Sequence, residues 1–255
     1  MALLEVRSVS KRFGGVAALR QVSVLLEKDE IVGLIGPNGA GKTSFFNSLT
    51  GLLSIDSGEI RFADSSLRLD GLSPDKILEA GVSRTFQNLR VFKNMTVCEN
   101  VAIGFHARTK AGLLDAFLRT SRHRDEEQVV FGGSAALLEF IGLGGRGNEI
   151  AGSLPYGSQK RLEIARALAS KPRLLLLDEP VAGMNPREKE EISALIRKIR
   201  DKGVAVFIIE HDMRVVMPLC DKVIVMDEGE KIAEGKPDQI QKNPRVIQAY
   251  LGELD

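Results

Sequence analysis

The sequence predicts an α/β fold with a mixed sheet, an antiparallel β subdomain near its N-terminus and an inserted helical subdomain. Short apolar runs alternate with helix-patterned segments, the signature of βα units. Three runs, 31–35, 174–177 and 204–209, are continuously apolar, as in strands covered by helices on both faces. From about 88 to 153 the strand signals fade and helical patterns take their place.

Strands are expected at Leu3–Val9, Val22–Leu26, Glu30–Ile35, Glu59–Phe62, Val82–Phe86, Arg173–Leu177, Val204–Ile209 and Lys222–Met226. The stretch VIVMDEGEKIAEG reads as a late hairpin turning at Asp227-Glu228-Gly229. Residues 104–130 are charged and helix-like, 134–143 form an apolar helical pattern, and the tail from 237 reads as one or two short helices. The basic cluster Arg119, Arg122, His123 and Arg124 reads as a solvated face. The expected organisation is one domain, 1–255, with 1–87 and 159–236 as the α/β core, 88–158 as the helical subdomain and 237–255 as a helical tail.

Composition narrows the function. The 255 residues, 44% hydrophobic and 27% charged, are ordinary for a globular chain. With 35 basic and 34 acidic side chains the net charge is +1, so the footprint of a nucleic-acid binder is absent. Two cysteines and three histidines give no zinc-ligand spacing, and a reducing compartment is expected. The opening MALLEVRSVSKRF carries charge too early for a signal peptide, and no run of about 18 apolar residues exists to span a bilayer. The expected location is cytoplasmic, with any membrane contact peripheral.

The chemistry begins with Gly36, Pro37, Asn38, Gly39, Ala40, Gly41, Lys42 and Thr43, the pattern GxxxxGK[ST] between an apolar strand and a helix over 42–49. Glycines let successive backbone N–H groups turn inward around an anion, and the helix adds its positive end. Lys42 supplies charge to the β- and γ-phosphates, the Thr43 hydroxyl suits Mg²⁺, and Ser44 reaches toward the α-phosphate. The core is therefore read as a P-loop NTPase core that holds nucleotide phosphates and Mg²⁺. LLLLDEP, 174–180, ends a buried strand in two acids: Asp178 for the metal shell and Glu179 to polarise the attacking water. His211, after the strand VFIIE, falls on the same carboxyl edge and is read as a γ-phosphate contact. Gln87, read as ending the strand VSRTFQ, can reach metal or water through its amide oxygen.

In this order the motifs resemble the ATP-binding cassette family, the motor subunits of ABC transporters, over nearly the whole chain from about Leu3 to Leu251. The resemblance implies ATPase activity and carries further roles. Phe13 matches the aromatic that stacks on adenine. Gln87 matches the Q-loop glutamine, Asp178 and Glu179 the Walker B acids, and His211 the switch histidine. LPYGS, 154–158, stands where the family usually has LSGGQ, ahead of a helix expected near Gln159. Pro155 and Ser158 replace the usual serine and glutamine, so Tyr156, Gly157 and Ser158 with that helix's N-terminus are left to meet a partner's nucleotide. The D-loop reads AGMN, 182–185, instead of SALD.

Both departures, with RTFQNLRVFKNMTVCENV and the closing GKPDQIQKNPRVIQAYLGE, look like the LivG-type branch of branched-chain amino-acid importers. The implied partners are a second cassette, identical or paralogous, transmembrane permeases, and indirectly a periplasmic solute-binding protein. Leu89, Arg90, Val91 and Phe92 are candidates for the groove that receives the permease. Alternatives are a related amide or urea importer, a soluble ABC ATPase without a transport role, a non-hydrolysing binding module, and another P-loop enzyme such as a kinase.

Overall fold

The computed structural model describes residues 2–63, 66–105 and 121–251, with side chains throughout except at 121–128 and 251. Two compact units emerge, Met1–Arg84 with Arg173–Asp255, and Thr85–Pro172.

In the first unit, β1 (Ala2–Phe13) and β2 (Val16–Glu27) form an antiparallel hairpin. Two further strands, β4 (Ser57–Phe62) and β5 (Leu67–Arg68), extend it to a sheet ordered β2-β1-β4-β5. The first pair is longer than its apolar alternation predicts, because pairing continues into the exposed ends beyond the buried residues. Strand β5 has both residues exposed and so left no hydrophobic signature.

A second sheet runs β10-β9-β3-β8-β7-β6. Its parallel strands are β3 (Ile31–Ile35), β6 (Val82–Arg84), β7 (Leu174–Asp178), β8 (Ala205–Ile209) and β9 (Lys222–Asp227). Every residue of β3, β7 and β8 is buried, which accounts for their unbroken apolar runs. Strand β10 (Glu230–Gly235) returns antiparallel to β9 through Glu228-Gly229, whose φ values of 43° and 82° meet the positive-φ demand of a tight hairpin turn.

Helix α1 (Lys42–Leu49) lays Phe45 and Phe46 on Phe207 of β8, with ring centroids 6.2 and 5.1 Å apart. Helix α2 (Pro74–Ala80) buries Ile77 and ends at Gly81 ahead of β6. Later, α6 (Pro186–Asp201) buries Ile192, Leu195, Ile196 and Ile199 at helical spacing. Its start is dictated by Asn185, which caps the helix reciprocally with Glu188. Helix α7 (Met213–Leu219) packs on β3 so closely that a Cβ at Gly33 would lie 3.0 Å from the Cys220 sulfur. Short helices α8 (Pro237–Gln241) and α9 (Pro244–Leu251) follow β10.

The second unit is helical. It contains α3 (Val97–Gly104), α4 (Ser121–Phe140), a 3₁₀ turn at Ala151–Ser153 and α5 (Tyr156–Ala169). Thr96 and Glu99 form a capping box on α3. A Cβ at Gly104 would come within 2.2 Å of the Arg166 carbonyl, so glycine allows α3 and α5 their close approach. Helix α4 begins well before the 134–143 pattern. Arg119 and residues 252–255 lie outside the described residues, as do the side chains of Arg122, His123 and Arg124. No helix among the described residues is long and apolar enough to cross a membrane.

Candidate active site

The carboxyl ends of β3, β8 and β7, neighbours in the sheet, carry the loop 36–43, the segment 210–212 and the acids 178–179. Parallel strands place their loops on one edge, which gathers these residues from far apart in the chain.

Glycine is obligatory in the loop. Gly36 has φ 148°, and a Cβ there would sit 2.0 Å from the Met226 carbonyl oxygen; Gly41 has φ 95° and 2.5 Å to that of Ala18. Gly41 caps α1 without a side-chain hydrogen bond to the first turn. The opening N–H groups of α1 are therefore oriented for an anion with no competing side-chain acceptor. The Lys42 ammonium donates to the carbonyls of Gly36 (2.6 Å) and Pro37 (2.7 Å), which anchors it over the loop. Such a cradle fits the phosphate chain of a nucleotide.

Asp178 is 4% exposed, and one carboxylate oxygen takes a hydrogen bond from the Arg84 guanidinium at 2.7 Å. Arg84 also donates to the Asn47 side chain of α1 at 2.8 Å and lies over the Phe46 ring. The acid at the end of β7 is thereby braced against the helix that follows the loop. Among the described residues no cluster of three His, Cys, Asp or Glu could hold a metal.

Glu179 precedes Pro180 yet has φ 48°, a left-handed conformation costly for a non-glycine residue. Its N–H donates to the Ile209 carbonyl at 3.0 Å, and one carboxylate oxygen is 3.7 Å from His211 Nδ1. The His211 side chain is largely exposed. Asp212 caps α7 and pairs with Lys189 at 2.7 Å; that contact, ahead of its bonds to Arg214, holds its carboxyl near a pKa of about 2. Phe13 is 52% exposed at the end of β1, with the Lys11 ammonium 5.9 Å from its ring.

In the second unit, Gln87 lies beyond β6, which ends at Arg84 instead of Phe86. The ladder with β7 runs out at Arg84–Leu176, and the Phe86 and Gln87 carbonyls accept from the Lys160 ammonium at 3.3 and 3.2 Å. Lys160 and Glu163 are 3% and 2% exposed and 3.5 Å apart, and Glu163 accepts the Arg90 N–H at 3.2 Å. Arg166, one turn further, stacks over Phe92. Helix α5 begins at Tyr156, earlier than the expected Gln159, because Pro155 ends the upstream chain in extended geometry and leads directly into the first turn. Tyr156 is 44% exposed, Gly157 is buried and Ser158 is half-buried.

Arg84, Lys160, Glu163 and Glu210 went unsingled in the sequence. Each carries a charge to a buried position, and only the charges within α5 and directly after the apolar run of β8 hinted at three of them, Lys160, Glu163 and Glu210.

Residues 19–182 match the family model described as ABC transporter, and 230–255 match that of the branched-chain amino acid ATP-binding cassette transporter. The chain is 44% identical over 252 residues to the high-affinity branched-chain amino acid transport ATP-binding protein BraF of Pseudomonas aeruginosa, covering 98% of each. It has the same identity and coverage with LivG of Escherichia coli. Among solved structures it resembles a nucleotide-free ATP-binding cassette from an ABC transporter, with TM-score 0.85, 32% identity and coverage of 98% of this chain and 99% of that one.

Proposed function

The chain belongs to the ABC transporter family, and on that premise we propose that it is the ATP-hydrolysing motor of a bacterial importer for branched-chain or related amino acids. The observation carrying this reading is the convergence of the 36–43 loop, Asp178, Glu179 and His211 on one sheet edge. The relatives' names and the match at 230–255 support the cargo class.

The loop N–H groups and Lys42 hold the phosphates, Thr43 and Asp178 face the companion cation, and Phe13 stacks on the base. Mg²⁺, when bound, neutralises charge on the transferring phosphoryl group. Glu179 accepts the proton of the attacking water as the water oxygen bonds to the γ-phosphorus and the bond from that phosphorus to the β,γ-bridging oxygen breaks, releasing ADP and phosphate. His211 donates toward the γ-phosphate oxygens, and Gln87 orients water through its amide oxygen. Tyr156, Gly157 and Ser158, at the start of α5, face the nucleotide of a second cassette, so ATP joins two subunits and hydrolysis separates them. The segment 88–158 receives a membrane permease at the cytoplasmic face, and a periplasmic binding protein delivers solute from the other side.

The test is Glu179→Gln. Turnover falls at least a hundredfold while ATP affinity, read by calorimetry, stays within about threefold. Wild-type phosphate release would refute the assignment of the base.

A further inference from the structure

Glu210 is a carboxylate that the mechanism above leaves without a task. It directly follows β8, is 1% exposed, and among the described residues forms no ion pair with a Lys or Arg. Burying such a group is expensive unless its oxygens are hydrogen-bonded. One oxygen accepts the Val181 N–H at 3.1 Å, and the other accepts the His211 N–H at 3.1 Å. The second oxygen also lies 4.0 Å from His211 Nδ1, the atom 3.7 Å from the Glu179 carboxylate.

These bonds bracket the strained turn. Glu179 holds φ 48° ahead of Pro180, and Val181, buried at 1% exposure, is the next residue with an N–H to anchor. On the upstream side the Glu179 N–H is fixed to Ile209. On the downstream side the anchor is the Glu210 carboxylate, which simultaneously fixes the backbone of His211. A left-handed non-glycine residue persists only where its surroundings over-determine it.

Resting on the ATPase reading, we propose that Glu210 is a positioning residue: its two oxygens lock the exit turn of β7 to the exit of β8, and so hold Glu179 and His211 in their mutual geometry. Burial raises its pKa, against its backbone hydrogen bonds, as expected for a carboxylate retained at a cost for geometry.

The test uses the full chain with Glu210→Ala and, in case that variant does not fold, the isosteric Glu210→Gln, whose amide can satisfy one N–H but not both. ATP affinity is expected within twofold of wild type, because the 36–43 loop is untouched. kcat should fall at least tenfold at unchanged KM, and amide hydrogen exchange at Val181 and His211 should rise at least tenfold without a matching rise in the strands. Unchanged exchange at those amides overturns the clamp. Raised exchange with wild-type kcat overturns the positioning role. Glu179→Gln, run alongside, separates failure of the underlying reading: if that variant turns over normally, the site assignment itself falls, whatever Glu210 does.

Discussion

Lys160 and Glu163 offer a perturbation whose cost follows from burial. Both side chains are almost wholly enclosed, and the ammonium serves the Phe86 and Gln87 carbonyls and the Glu163 carboxylate at once. Lys160→Met keeps the stem's volume but removes the cation from beside a buried anion. Breaking a buried pair from one side costs about 3–5 kcal/mol. At this chain length a kcal/mol is worth roughly 2 °C, so Tm should drop by about 6–10 °C. Removing the anion as well, in Lys160→Met with Glu163→Leu, should recover part of that loss. The residual cost, about 1–3 kcal/mol, is the Arg90 N–H left without its acceptor. Thermal and urea unfolding followed by circular dichroism measure both variants. A single variant within about 1 kcal/mol of wild type, or a double variant no better than the single, would refute the view that these charges form one satisfied network.

Three other outcomes are expected. Gly36→Ala forces a Cβ against the Met226 carbonyl, 2.0 Å away, at a backbone φ of 148°; ATP binding by calorimetry should be lost, and wild-type affinity would show that the loop relaxes freely. Asp212, whose carboxyl is lowered to about 2 in the fold from 3.8, gives stability that is fully present above the unfolded value and drains away as pH falls through the folded one. Asp212→Asn should therefore lower stability at neutral pH and flatten the acid limb of the Tm profile below about pH 4, whereas an unchanged acid limb would refute the pairing with Lys189. Cys220, with its thiol pushed up to about 12 by burial, should resist thiol reagents at pH 8 until denaturant is added, and labelling of the native chain at Cys220 would contradict its packing against Gly33.

The legible part of the molecule was the part where one physical demand acts on neighbouring residues. Buried parallel strands need unbroken apolar runs, so β3, β7 and β8 could be read within a residue of their ends. Glycines at positive φ beside a helix start leave their own mark, so the backbone of 36–43 and the start of α1 could be anticipated. What stayed hidden is set by partners distant in sequence. The end of β6 depends on where Leu176 stops pairing, and within the second unit the Gln87 carbonyl meets Lys160, 73 residues on. Likewise Arg84 meets Asp178 across 94 residues, and Val181 meets Glu210 across 29. A charge in an apolar segment announces that something opposes it but not what. Within the first unit such oppositions brace the backbone around the proposed chemistry: Arg84 behind Asp178, and Glu210 between Glu179 and His211. Reacting groups follow motifs because their substrate is fixed; the groups that aim them answer only to the fold, and for that reason geometry was needed to find them.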